Sequence, residues 1–260
     1  MSTRFSNTVF RMTVTALFLA AGSHARADMV TFDTTPDWNG STSISAWGSV
    51  QSGATATYGQ TFLVPANASV LNDFTFYING FGSGGTVTFQ ADVFAWSGSL
   101  LGGGGGGATG PALFSLSGLT LTDNGSFQAV TINTGGTALT PGGQYVALLT
   151  TSDPQSIAAN GGANGFFGWG LTDNYSHVAN SGGGGFVYYN NTTDSQLNTT
   201  PWGNSDFGDL AWTANFSSPA GGGSVNTAPE PTSMAMLGIA AIGMALRGYR
   251  RRRVSGPSVI

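Results

Sequence analysis

The chain of 260 residues contains no cysteine and no lysine. A chain without cysteine must be stabilised by its hydrophobic core, because no disulfide can form. Every arginine lies near one of the two ends, at positions 4, 11 and 26 and at positions 247 and 250–253. The central part therefore has no fixed positive charge with which to neutralise phosphates, which excludes nucleic-acid binding.

Residues 28–228 contain eleven aspartates, no glutamate, no lysine and no arginine. Their formal charge is 0 − 11 = −11, against −4 for the whole chain. No salt bridge to Lys or Arg can form within this segment. Its acidity favours solubility and repels anionic surfaces. Its carboxylates are the kind of oxygen ligand that Ca²⁺ takes.

Residues 1–27 have the pattern of a secretory signal peptide. Arg4 and Arg11 form the positive start, and residues 12–21 (MTVTALFLAA) form a short apolar segment. Residues 25–27 (Ala-Arg-Ala) offer a small-residue cleavage site. We therefore predict that the chain is exported and that this segment is removed.

The C-terminal end consists of a Pro-Glu-Pro motif at 229–231, an uncharged apolar run at 234–246 and four consecutive arginines at 250–253. With its weakly polar flanks, residues 232–249, the run would form a helix of about 27 Å, near the lower limit for crossing a membrane. The arginines favour the cytoplasmic side. The sequence predicts a single transmembrane helix with residues 28–216 outside. The alternative, a buried core helix, is disfavoured because the run has no polar face.

This order of motif, apolar run and basic cluster resembles the PEP-CTERM sorting signal of Gram-negative bacteria that make an extracellular polysaccharide matrix. The resemblance implies cleavage by the exosortase at the inner membrane, followed by attachment to the cell surface or release. Residues 254–260 form a longer final tail than is usual for this signal. The residues that match the signal are Pro229, Glu230, Pro231, Arg250, Arg251, Arg252 and Arg253.

Residues 28–216 read as one all-β domain, an antiparallel β-sandwich. Apolar residues alternate with period two, turn residues separate the segments, and no helical period occurs. The clearest strand is 86–96 (TVTFQADVFAW). Strands are predicted at 28–33, 55–64, 69–79, 86–96, 112–121, 126–133, 144–151 and 209–216. The glycine run at 102–107 predicts a loop, and residues 217–228 predict a flexible spacer. The first strands resemble, loosely, bacterial jelly-roll domains of the carbohydrate-binding type.

Two kinds of binding residue stand out in residues 28–216. Oxygen-rich loops could hold a structural Ca²⁺, with Asp33, Asp173, Asp206 and Asp209 as candidate ligands; the alternative is ordinary solvated turn aspartates. Exposed aromatic rings could stack on sugars; the alternative is that most of these rings are core. The candidate stacking residues are Trp169, Tyr175, Tyr188 and Trp202.

A catalytic site is not expected. His177 is the only histidine of residues 28–216, and no nucleophile-elbow sequence accompanies it. Asp206 and Asp209 would face opposite ways on a strand, whereas a glycosidase needs two converging carboxyls. We expect a non-enzymatic surface or matrix protein associated with polysaccharide, with no cofactor other than a possible structural Ca²⁺. The alternatives are a carbohydrate-binding module with a defined, calcium-dependent site and, less favoured, a polysaccharide hydrolase.

Deletion of residues 229–253 is expected to change both the location and the C-terminal processing of the protein, because the sorting signal would be gone. Cell fractionation and the intact mass of the exported form measure the two effects, and the same mass reports whether the chain begins at Asp28. Unchanged location and processing in the deletion variant would contradict the assignment of the tail.

Overall fold

The computed structural model describes residues 29–82, 84–101, 105–161, 166–198, 201–202 and 207–219. Two antiparallel sheets pack face to face around one main core. The strands are β1 (Met29–Asp33), β2 (Ser43–Trp47), β3 (Thr57–Leu63), β4 (Val70–Asn79), β5 (Thr86–Ser97), β6 (Gly107–Thr122), β7 (Gln128–Ala138), β8 (Gln144–Thr150), β9 (Phe167–Gly170), β10 (Phe186–Tyr189) and β11 (Trp212–Ser217). The predicted β-sandwich is therefore confirmed.

The strand order is that of a jelly roll. One sheet runs β1-β11-β4-β9-β2, with β7 also paired to β4, and the other runs β10-β3-β8-β5-β6. Apart from β2, β9 and β10, the strands form the sets β1-β11-β4-β7 and β3-β8-β5-β6, the interleaved arrangement of two Greek keys. Strand β9 takes the place of β11 beside the end of β4, where Trp169 pairs with Ile78.

Aromatic rings fill the space between the two sheets. Phe76 is fully buried, with its ring centroid 4.7 Å from that of Trp169 and 6.2 Å from that of Trp212. Trp47 meets Trp169 edge-on at 5.2 Å. The indole N–H groups of Trp169 and Trp212 have no hydrogen-bond partner among the residues that the structure describes. Burial of these large rings is the main stabilising term that a chain without disulfides can use.

Strand β5 is buried on both faces. Phe89 and Val93 face the main core, as the alternation predicts. Phe94 and Trp96 belong to a second apolar cluster, which lies on the outer side of the five-stranded sheet. The other members of this cluster are Ala108, Val146, Leu148, Val187, Leu197 and Trp202. The outward face of β5 is thus covered by the chain that follows β10.

Three strands and one helix fall in segments for which the sequence predicts no strand or helix. Strands β2, β9 and β10 are only four or five residues long, and glycines interrupt the apolar pattern of β9. The helix α1 (Pro154–Asn160) begins where the Asp153 carboxylate accepts hydrogen bonds from two backbone N–H groups, and it ends at Gly161 with φ of 51°. The Asp-Pro pair at its start is the one sequence signal of this helix.

Several predicted segments lie outside the described residues. These are the signal peptide, the Pro-Glu-Pro motif, the transmembrane helix, the arginine cluster and the spacer beyond residue 219. Within the described ranges, no helix is both long and apolar enough to cross a membrane. Residues 102–104 of the predicted glycine loop also lie outside the described residues, and Gly107, the last residue of that run, already belongs to β6.

Replacement of Phe76 by alanine is expected to lower the free energy of unfolding by about 3–5 kcal/mol, because it leaves a cavity between two buried tryptophans. Denaturant unfolding measures the loss. Leu116→Ala, at an exposed position of β6, is the matched control and should change the stability by less than about 0.5 kcal/mol. Equal effects of the two substitutions would contradict the core assignment.

Candidate ligand-binding site

A short loop after β9 presents the most exposed of the aromatic candidates, Tyr175. Thr172 fixes the start of the loop through its N–H, which donates to the Asp209 carbonyl at 2.9 Å. The Thr172 hydroxyl donates to the Ser176 carbonyl at 2.6 Å, and the Ser176 hydroxyl donates to the Asp173 carbonyl at 2.9 Å. The loop is therefore braced by hydrogen bonds at both ends.

Two residues in this loop have left-handed backbone conformations. Asn174 has φ of 58° and Tyr175 has φ of 54°. This region is uncommon for residues other than glycine, and it costs about 1–3 kcal/mol at a bulky residue. Gly208 packs beneath the loop, where a Cβ atom would lie 2.5 Å from the Tyr175 carbonyl carbon. Such strain persists only where the surrounding structure holds it, and it is concentrated at functional sites.

The rings of Tyr175 and Phe207 form an exposed pair at this loop. Their centroids are 5.9 Å apart, and the two residues are 53% and 39% exposed. Asp173 lies two residues before Tyr175 in the same turn. Its Oδ1 accepts hydrogen bonds from the Thr42 hydroxyl at 2.9 Å and from the Asn39 N–H at 3.3 Å. Exposed rings next to an oriented carboxylate can take the apolar face of a sugar and accept hydrogen bonds from its hydroxyls.

The other three aromatic candidates do not join this site. Trp169 is fully buried in the main core, and Trp202 is buried against Trp96 and Tyr189 in the second apolar cluster. Tyr188, in β10, is half-buried and stacks on Phe186. The prediction that Trp169 and Trp202 present faces to a ligand is therefore wrong, because Trp169 lies between the two sheets and Trp202 is buried within the second apolar cluster.

The candidate calcium ligands do not converge either. The Asp33 carboxylate caps its own turn by accepting hydrogen bonds from the N–H and hydroxyl of Thr35, and Asp173 is held as described above. Asp209 is buried among donors of its own. Asp206 lies outside the described residues. Among the residues that the structure describes, no three His, Asp or Glu side chains are placed to hold a metal ion.

Asp209 and His177 form a contact that the sequence did not predict. Asp209 is fully buried and accepts hydrogen bonds from the Gln60 amide and the Val178 N–H, both at 2.7 Å, and His177 Nδ1 lies 3.7 Å from its Oδ1. Burial raises the pKa of Asp209, against the opposing effect of these hydrogen bonds. The Ser181 hydroxyl forms a hydrogen bond with the same carboxylate. In a catalytic triad the imidazole lies between the hydroxyl and the carboxylate, so Ser181, His177 and Asp209 do not have the arrangement of a triad.

A second group of acidic side chains lies at the outward face of β5, where Asp92 is fully buried and Asp194 is half-buried. The Gln90 amide nitrogen donates to both oxygens of Asp92, at 3.0 and 2.9 Å, and lies 3.5 Å from Asp194 Oδ2. The Ser152 hydroxyl donates to Asp194 at 3.1 Å. Burial raises the pKa of Asp92 to about 6, and burial also raises that of Asp194. The only sequence signal of this group is a charged residue within a strand of strict alternation.

The fold and the tail define a class of protein, a jelly-roll β-sandwich that carries a C-terminal sorting signal. Residues 227–252 match the PEP-CTERM protein-sorting motif, which confirms the resemblance seen in the sequence. The motif implies processing by an exosortase and a destination at the cell surface or outside the cell.

No curated protein matches the chain. Among solved structures, the chain is similar to the cysteine protease and lectin-like domains of Cwp84, a surface layer associated protein of Clostridium difficile. The two chains are 11% identical with a TM-score of 0.35, and the match covers 63% of this chain. The chain spans 32% of the length of that protein. At this TM-score the likeness carries no argument about a ligand.

The stability of the protein is expected to rise on acidification from pH 7.5 to pH 4. Asp92 binds its proton more tightly in the folded state, near pH 6, than in the unfolded state, near pH 4. Its stabilising contribution is therefore present at pH 4 and is lost as the pH rises through 6, by up to about 3 kcal/mol. Asp194 and Asp209 act in the same direction, because burial raises the pKa of each.

Urea unfolding across this pH range measures the effect. Asp92→Asn should flatten the pH dependence and stabilise the protein at pH 7.5. Asp37→Asn, which removes the same charge from an exposed position, is the control. A wild-type stability that falls between pH 7.5 and pH 4.5 would contradict the assignment.

Proposed function

We propose that the protein is a non-enzymatic component of the cell surface or extracellular matrix that binds polysaccharide through its β-sandwich. The observation that carries this proposal is the exposed pair Tyr175 and Phe207, held on a strained and braced loop beside Asp173. A loop that stores backbone strain in order to expose a ring gains nothing in folding stability from that arrangement. It does gain a rigid surface on which a sugar ring can stack.

The sorting signal supplies the context of the proposal. The motif at 227–252 implies export and exosortase processing. We propose in addition that the chain passes through the inner membrane of a Gram-negative bacterium by way of the secretion machinery, with its C-terminal helix as a temporary anchor. After processing, its body would meet the extracellular polysaccharide.

A polysaccharide hydrolase is the second candidate, and the His177–Asp209 pair is the observation that favours it. Both residues lie behind the Tyr175 loop, since the Asp209 carbonyl accepts from Thr172 at the start of that loop. Asp209, however, is buried and held by four hydrogen-bonding or charged neighbours, Val178, Gln60, His177 and Ser181. A residue enclosed in this way is not positioned to reach a glycosidic bond, so we propose that the pair is structural.

Binding is tested by affinity electrophoresis of the mature secreted protein in gels that contain acidic or neutral glycans. Tyr175→Asn removes the ring but keeps a residue that tolerates the left-handed backbone. We expect it to weaken binding about fivefold, because an aromatic contact of about 1 kcal/mol is lost. Tyr188→Ala, on the edge of the other sheet, is the matched control.

The same gels, together with an assay for reducing sugar, separate the alternatives. Loss of retardation in EDTA would favour a calcium-dependent site, with Asp206 as a candidate ligand. Release of reducing sugar that disappears in His177→Ala would favour the hydrolase. Absence of retardation on every glycan would count against the proposed function.

A further inference from the structure

The outward face of β9 consists of two glycines, and an aromatic ring covers each of them. Phe167 and Trp169 point into the core, so Gly168 and Gly170 point outward. A Cβ atom on Gly168 would overlap the ring of Phe81, and a Cβ atom on Gly170 would lie 2.9 Å from Trp38 Cζ2. Two rings that come from distant segments therefore lie directly on the backbone of this strand, about 7 Å apart along it.

Trp38 is held in place on this face from several sides. Its indole N–H donates to the Thr42 carbonyl at 2.8 Å. Its ring lies 5.2 Å from that of Tyr77 and meets that of Phe127 edge-on at 4.9 Å. The turn before it is anchored by the buried Thr34, whose hydroxyl donates to the Leu210 carbonyl at 2.6 Å. We call Trp38, Tyr77, Phe81 and Phe127 the aromatic strip.

The aromatic strip remains accessible to a ligand. Phe81 is 55% exposed, and Trp38, Tyr77 and Phe127 are half-buried, with part of each residue open to solvent on the outer face of the six-stranded sheet. Phe81 also adopts a left-handed backbone, with φ of 56°. As at Tyr175, the chain accepts strain to place an aromatic ring on the surface.

Carboxylates flank the strip, and residues 28–228 contain no Lys or Arg that could neutralise them. Asp37 is exposed and directly precedes Trp38. Asp173 is joined to the same segment by the hydrogen bond that its Oδ1 accepts from the Asn39 N–H. That bond also connects the strip to the loop that presents Tyr175. Residues 28–228 as a whole carry a formal charge of 0 − 11 = −11 with no Lys or Arg.

We propose that the aromatic strip binds a linear polysaccharide built from amino sugars whose amines are protonated; this rests on the proposed function and names its ligand class. Aromatic faces attract both the C–H face of a sugar ring and an ammonium group. Asp37 and Asp173 would form charge-assisted hydrogen bonds with the ammonium groups. A polyuronate would meet only like charge.

The test is isothermal titration calorimetry of the mature secreted protein with three probes: a glucosamine hexamer, the N-acetylglucosamine hexamer and a uronate hexamer. We expect the glucosamine hexamer to bind most tightly and the uronate hexamer not to bind. Trp38→Ala should weaken the glucosamine hexamer by about tenfold, which is the loss of about 1.4 kcal/mol. Asp37→Asn should weaken the glucosamine hexamer and leave the N-acetylated one unchanged.

Two controls separate recognition from general attraction between a cation and an acidic protein. Trp38→Ala keeps the charge of −11 and removes only the ring, so general attraction would survive it. Trp38→Phe keeps a ring over Gly170 and should bind within a few-fold of wild type. Thermal unfolding of each variant establishes that it is folded.

The outcomes distinguish this inference from the function on which it rests. Equal or tighter binding of the N-acetylated hexamer would overturn the amino-sugar class while leaving polysaccharide binding in place. Binding of the glucosamine hexamer that persists in folded Trp38→Ala would overturn the strip as the site. If Tyr175→Asn then abolished that binding, the Tyr175 loop would be the site. Failure of every glycan to bind would overturn both.

Discussion

The structure depends on one constraint, the lack of any fixed positive charge in an acidic body. Each buried carboxylate must be stabilised by uncharged donors, because no Lys or Arg is available to pair with it. Asp209 uses the Gln60 amide and a backbone N–H, and Asp92 uses the Gln90 amide. Uncharged donors compensate burial only in part, which is why burial raises the pKa of both carboxyls. Protonation of a buried carboxyl therefore stabilises this body, whereas a protein with lysine or arginine can stabilise a buried carboxylate with an ion pair.

The same constraint shifts the burden of stability to aromatic packing and to hydrogen bonds between neutral groups. Phe76 lies between two tryptophans in the main core, and a second cluster seals the outer side of β5. Hydroxyl and amide side chains form hydrogen bonds between neighbouring strands, such as the 2.6 Å contact between the Thr57 and Thr150 hydroxyls of β3 and β8. A body of this kind is neutral or acidic wherever it meets a partner, which disfavours anionic ligands and favours neutral or cationic ones.

Sequence reasoning reached the fold class through its longest strands. In β5 the alternation extends from residue 86 to residue 96, and in β4 Phe74, Phe76 and Ile78 share the core face, so the period-two signal is strong. It failed at β9, whose four residues Phe-Gly-Trp-Gly look like a glycine-rich loop. Glycine is required at positions 168 and 170 because the rings of Phe81 and Trp38 occupy the space that a side chain would need. No pattern within β9 itself could reveal rings that arrive from residues 38 and 81.

What the sequence by itself determined is the delivery and the electrostatics of this protein. A sorting motif is read in linear order, and net charge is a sum over residues, so neither needs coordinates. Which aromatic rings face solvent was decided only by the tertiary structure. Trp169 and Tyr175 are six residues apart, yet one is fully buried and the other is 53% exposed. The difference arises because Trp169 lies in a strand facing the opposite sheet, whereas Tyr175 lies on a loop that Gly208 and Thr172 hold away from it.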